Sequence, residues 1–262
     1  MLLISSYKMR KIQPTRHERE EEKIIQSYCE AKGKVEVSVA WTKYLLTTHP
    51  IEFITTVGRI NGKLMTDICP IATCLDTSYE PPYVTFSLAL KQHSLHGQKP
   101  SKDKMNTYLN LRQNGLFIVN VPGRELLGIL NIIAQPYKRK ELEDKIAKAG
   151  LTKATPFTLN KNYNIYPPLI QECLAHLECR VVDIHRPKGG DHYNITGEVI
   201  SASYDSPLGK NPDEVRLNLT KRVFHHFGAS SENPSLRYIA YLSPDSCETI
   251  TFHLERKPNG VK

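Results

Sequence analysis

Between residues 49 and 204 the chain is a succession of short β-rich runs, each closed by a turn signal, and this pattern excludes most architectures at once. Ile51–Val57 is rich in β-branched residues and ends at Gly58. The following Asn61-Gly62 pair predicts a tight hairpin, because both central positions of that turn need positive φ. Thr66–Leu75 reads as the return strand, broken by Glu80-Pro81-Pro82, and Tyr83–Leu90 alternates as the next. Leu116–Pro122 reads as a buried strand. Leu169–Val182 carries Leu177, Cys179 and Val181 on one face, and Tyr193–Ser203 follows the Gly189-Gly190 turn. Helical patterns interrupt the strands at Thr107–Asn114, stopped by Gly115, at Arg124–Ile133 and at Arg139–Ala149, stopped by Gly150. Regular βαβ alternation is missing, so the expected class is mainly β, of the α+β or barrel kind.

Outside this block the signal is weaker. Arg16–Gln26 predicts a short helix, and Val35, Val37 and Val39 share one face of a strand. Beyond Tyr204, residues 213–226 carry a partial helical pattern whose end, at His225-His226, reads as solvated. Tyr238–Leu242 and Glu248–Glu255 read as strands. Trp41 is expected to anchor a core or an interface.

The 262 residues carry a formal net charge of +8, which favours anionic ligands. The basic residues are dispersed and no nucleic-acid-binding motif is present, so phosphorylated small molecules are expected and nucleic acid is not. The apolar run Leu2–Ile4 is too short for a signal h-region or a membrane span. None of the six cysteines forms a C-x-x-C pair, and a cytoplasmic location with reduced, buried thiols is expected. Cys173, His176 and Cys179 invite a metal reading. On one strand His176 would face away from the two cysteines, so small buried hydrophobes are the expectation and no metal site is assigned.

No G-x-G-x-x-G, phosphate-binding P-loop, H-E-x-x-H or G-x-S-x-G motif occurs, which removes several nucleotide-binding and hydrolytic folds. Six segments remain, in order. They are Gly62–Thr73, Glu80–Leu88, Asn106–Pro122, Ala149–Thr152, Glu172 through Leu177-Glu178-Cys179, and Gly190-Asp191-His192-Tyr193 through Gly197-Glu198-Val199. Together they resemble the flavin-reductase-like FMN-binding family. Asp67 and Asn106 stand where that family usually has Asn and Asp.

The resemblance implies a six-stranded, Greek-key split β-barrel over residues 47–204, with residues 1–46 and 205–262 packing around it and the C-terminal strands covering a barrel edge. It implies a homodimer with flavin near the interface. It also implies FMN as cofactor, with NADH or NADPH as a possible co-substrate and free flavin, a metal chelate or a partner protein as acceptor. A flavoredoxin-like carrier fed by a redox protein is the alternative. By the same resemblance Thr66, Asp67, Cys69, Pro70, Ile71, Ala72, Thr73 and Cys74 line the isoalloxazine and ribityl chain. Ser87, Leu88, Ala89, Lys91 and Thr107 lie towards the phosphate, Asn110 contacts the flavin or braces the loop, and His192 approaches the flavin or nicotinamide face. Thr107 also suits a helix N-cap, Lys91 a surface position, Ser87 an outward polar position and His192 the turn that opens a strand.

Overall fold

The computed structural model of the chain describes residues 49–90, 105–135, 144–222, 224–229, 236–242 and 247–253. The N-terminal helix and strand expected within residues 1–46, together with Trp41 and Lys91, lie outside the described residues.

The hairpin forms as its turn chemistry requires. Strand β2 (Glu52–Ile60) pairs antiparallel with β3 (Lys63–Ile71), and the turn places Asn61 at φ 50° and Gly62 at φ 79°. The return strand ends at Ile71, earlier than expected. The chain bends through residues 72–74 before β4 (Leu75–Tyr79), which pairs with β5 (Pro82–Ala89). Helix α1 (Asn106–Asn114) stops at Gly115, whose φ of 68° is left-handed. It leads into β6 (Leu116–Val121).

Arg124–Ile133 is only partly α-helical: a 3₁₀ segment over Arg124–Ile129 precedes α2 (Leu130–Ile133). Of the helix expected over Arg139–Ala149, residues 139–143 lie outside the described residues, and α3 (Lys145–Lys148) starts after the Asp144 carboxylate, which caps it by accepting from the N–H groups of Ile146 and Ala147. A β7 (Lys153–Ala154) and β8 (Leu169–Ile170) pair flanks α4 (Leu159–Asn162). The strand expected over residues 169–182 is therefore two pieces, with a turn through 171–174 before β9 (Ala175–His185). Next comes β10 (His192–Tyr204).

The strands form one seven-stranded antiparallel sheet in the order β3-β2-β6-β9-β10-β5-β4. Its first six strands curl into the split barrel, with β4 added outside β5. The two ends meet through a side chain. The N–H of Ser87 in β5 donates to Thr73 Oγ1 at 3.0 Å, and Thr73 Oγ1 donates to the Ser87 carbonyl at 3.3 Å. Alternation along β2 and β6 then sorts side chains to two sides. Ile54, Phe86, Leu88, Phe117, Val119 and Ile195 fill the barrel. Phe53, Ile68, Leu130, Ile133 and Ile146 pack α2 and α3 against its outer wall. Gly197 is needed here, since a Cβ would stand 2.4 Å from the Phe117 ring.

After β10 come a short 3₁₀ turn (Ser206–Leu208), α5 (Pro212–Arg222), β11 (Phe224–Ala229), β12 (Leu236–Leu242) and β13 (Cys247–His253). His225 and His226, expected at a helix end, are in β11. The C-terminal strands do not join β3 or β4. They build a separate sheet, β1-β11-β12-β13, in which β1 (His49–Pro50) pairs with β11.

Candidate functional site

Two groups of the residues singled out from sequence assemble on neighbouring parts of the barrel. The first is built on β3 and α1. Asp67 is buried at 3% exposure, yet its carboxylate is fully engaged: Thr107 Oγ1 donates to Oδ2 at 2.8 Å, and Lys145 Nζ lies 3.0 Å from Oδ1. Lys145, itself buried, also donates to the Ile133 carbonyl at 3.0 Å. Thr107 is wholly buried. It does not cap α1, because Met105 holds the cap position, no side chain makes the cap hydrogen bond and Thr107 falls inside the first turn. Asn110, on the same helix, donates from Nδ2 to Thr56 Oγ1 at 3.1 Å. It packs so closely on β2 that a Cβ at Gly58 would fall 2.3 Å from its Oδ1. A buried ion pair with hydrogen bonds on both members is the form in which charge survives removal from water.

Cys69 adjoins this group. Burial pushes its thiol up to about 11, with the nearby Asp67 carboxylate adding to the rise and Lys145 and Thr107 opposing it. Cys74 is pushed upward as well, chiefly by burial and then by Glu52 and Asp76. Neither thiol carries thiolate at neutral pH, so neither is a nucleophile there. Thr66, Pro70, Ala72 and Cys74 are half-buried, Ile71 is buried and Thr73 is exposed.

The second group lies on the β5–β10 ladder, whose register sets His192 opposite Ala89, Tyr193 opposite Leu88 and Asn194 opposite Ser87. Ser87 Oγ donates to Asn194 Oδ1 at 2.9 Å, the Leu90 N–H donates to the Asp191 carbonyl, and Leu88 points into the barrel core. Ala89 is half-buried. His192 is partly exposed, with Nδ1 2.7 Å from Asp191 Oδ1, a contact that orients the imidazole. A stacked pair joins the two groups. The rings of Tyr108, next to Thr107, and Tyr193, next to His192, lie 4.2 Å apart at 20°.

Sequence reasoning missed Lys145 and the Tyr108–Tyr193 stack, and named Glu178 only as part of a motif, with no role. Glu178 is buried and accepts from the N–H groups of Phe157, Thr158 and Leu159 at 2.6, 3.0 and 2.7 Å, holding the start of α4. Glu172, which opens the same sequence segment, accepts from the Thr152 N–H with both carboxylate oxygens. Cys173 and Cys179 do not converge. Cys173 lies ahead of β9, so strand parity does not govern it, and it packs with α2 and α3 outside the barrel while Cys179 faces the interior. His176 bonds the Ile170 carbonyl through Nε2 at 2.9 Å.

The region therefore offers hydroxyls, an oriented imidazole and a bend at 72–74 that lies outside both flanking ladders, but no activated nucleophile. The model of the flavin reductase like domain matches residues 44–228, most of the chain. The chain belongs to the flavin reductase like family.

Solved structures carry the same fold at low identity. Nitrilotriacetate monooxygenase component B from Bacillus cereus aligns with a TM-score of 0.53 at 16% identity, covering 87% of this chain and 100% of that one. A flavin reductase described as putative, with a split barrel domain, from Shewanella frigidimarina aligns at 0.53 and 13%, covering 86% and 94%. Flavoredoxin from Methanosarcina acetivorans aligns at 0.52 and 16%, covering 86% and 96%. The family match runs past β10, through α5 and into β11. Among the described residues of this flavin-reductase-like chain, no helix is long and apolar enough to cross a membrane.

Proposed function

We propose that the chain binds FMN and works as an oxidoreductase, taking hydride from NADH or NADPH and passing electrons to free flavin or a metal chelate. The carrying observation is a set of residues in family order that assembles around one end of a split barrel and holds no activated side chain of its own. In such a site the bound flavin supplies the hydride chemistry, and the protein supplies binding and orientation.

The residues present fit that task in part. Thr73, at the bend, and Ser87 lie at the seam where the barrel closes, beside half-buried Pro70, Ala72 and Ala89. This seam is where we place contact with the cofactor. Asp67 and Thr107 are bonded to each other, so their part is to hold α1 against β3 behind the cofactor and not to touch its phosphate. His192, held by Asp191, is assigned to the face where nicotinamide approaches. Leu64, Leu75 and Tyr79 are exposed on β3 and β4, the two end strands of the sheet, and support a homodimer. The working location assigned is the cytoplasm.

A flavoredoxin-like carrier, fed by a protein donor, is the second reading. It is favoured by the lack of any nicotinamide-binding motif in the sequence. One experiment separates the two: an anaerobic absorbance spectrum of the purified chain with FMN, before and after NADH or NADPH. A bound flavin band near about 450 nm that bleaches with nicotinamide supports the reductase. A bound band that bleaches only with a reduced protein donor supports the carrier, and no bound band refutes both.

A further inference from the structure

Glu52 is the one acidic residue in the β-branched run that opens the barrel, and the fold buries it at 8% exposure. Its own backbone N–H bonds its carboxyl, and Oε2 has no hydrogen-bond partner among the described residues. Such an atom forfeits water without compensation, which a folded chain tolerates at few positions. Glu52 lines a cavity of about 590 Å³ together with Pro50, Val121 and Tyr204 of the barrel end, and Val215 and Leu219 of α5. Among the described lining residues it is the only buried one. The volume is in the range of sites that take small organic molecules.

The rest of the lining has the opposite character. Lys210, Asn211, Pro212 and Arg216 bring two cations and the N-terminus of α5 to the cavity. Asn211 caps that helix, its Oδ1 accepting the Glu214 N–H at 3.0 Å, and the dipole of a helix start favours negative charge. The acids of that first turn are turned to other partners. Glu214 accepts from the Lys210 N–H and from Asn211 Nδ2, and Asp213 Oδ1 lies 3.4 Å from Arg216 Nη2.

We propose that this cavity is a binding site for a small ring carboxylate that carries a carbonyl oxygen across the ring from its acid group. The ring lies on Val121, Tyr204, Val215 and Leu219, the carboxylate meets Lys210, Arg216 and the start of α5, and the carbonyl oxygen accepts a hydrogen bond from the Glu52 carboxyl. None of the lining residues belongs to the Thr73–Ser87 seam, which the site approaches only where Glu52 faces Cys74, and the binding argued here does not depend on the flavin reading.

Glu52 can donate only when protonated, and burial holds its carboxyl well above the usual range. The groups that face it are the Cys74 thiol, which is raised in turn by Glu52, and Lys210 and Arg216 on the cavity wall. Burial outweighs the backbone hydrogen bond that opposes it, so the acid form persists. The ligand's own carboxylate screens those cations and favours the protonated form further.

The test uses the full chain and calorimetric titration with 4-acetylbenzoate and with 4-isopropylbenzoate, two ligands of matched shape of which only the first has an acceptor. The expected result is binding of both, with the acetyl compound about fivefold tighter at pH 5.5, as one hydrogen bond confers. The preference should fade as pH rises through the Glu52 pKa and the acid gives up its proton. Glu52→Gln keeps a donor and should keep the preference at every pH, whereas Glu52→Leu should erase it. Val215→Trp fills the cavity and should abolish binding of both. Equal affinity for the two ligands, a preference that survives in Glu52→Leu, binding unaffected by Val215→Trp, or no binding of either would each overturn the proposal.

Discussion

Asp67 and Lys145 form an ion pair at 3.0 Å with side chains 4% and 9% exposed, tying β3 to α3 across the outer wall of the barrel. A pair this buried is costly to break and cheap to replace as a unit. Lys145→Met is expected to lower unfolding free energy by about 3–5 kcal/mol, because the buried Asp67 carboxylate then loses its cationic partner. The double variant Asp67→Leu/Lys145→Met should recover much of that loss. Urea denaturation of the four proteins checks the cycle, and simple additivity would mean the pair is not coupled.

Closure of the barrel at Thr73 invites a smaller change. Thr73→Val keeps shape but removes both bonds to Ser87, and should lower stability by about 1 kcal/mol. Thr73→Ser should retain stability. If the seam is where FMN sits, the valine variant also loses flavin affinity by several-fold, read by fluorescence titration, while the serine variant does not.

Glu178 takes three backbone donors, so Glu178→Ala leaves three N–H groups without their acceptor, that of Leu159 in a buried setting. A loss of about 3 kcal/mol or more is expected, with Glu178→Gln intermediate because its amide offers one acceptor only. Proteolysis near residues 157–162 should accelerate in the alanine variant, since α4 then lacks its anchor.

His176 supplies a pH dependence. Burial lowers its pKa, outweighing the Ile170 carbonyl and the Asp205 and Glu178 carboxylates, so the folded state holds it neutral where the unfolded chain already takes up a proton. Below about pH 6.5, the unfolded value, the unfolded state binds more protons, and stability falls as pH falls toward the folded pKa. Comparing His176→Gln with the parent at pH 5.5 and pH 7.5 cancels other titrating groups. The parent should lose more stability than the variant over that interval.

Sequence carried the barrel because its signals are local. Asn61-Gly62 demands a turn by itself, and Gly115 ends α1 for the same reason. The break at 171–174 was hidden inside a continuous apolar run, where β8 and β9 look like one strand. Asp67 was legible as a departure from the family pattern, but its partner was not, since nothing in the spelling of residues 145 and 67 links them. Thr107 read equally well as a cap or a ligand, and the fold gave it a third use. Glu52 passed unnoticed because a single acid in a β-branched strand has no periodic signature.

β1 and β11 come from opposite ends of the described chain, yet His49 pairs with His226 and Pro50 with His225. Because only Ile51 separates β1 from β2, the first rungs of the barrel emerge from the ribosome long before the strand that completes the neighbouring sheet. Ordering that sheet requires closing a very long loop, the kind of contact that slows folding. Nascent chains arrested before residue 224 should thus carry a formed barrel hairpin with β1 unpaired, and maturation should wait on release of the carboxyl end.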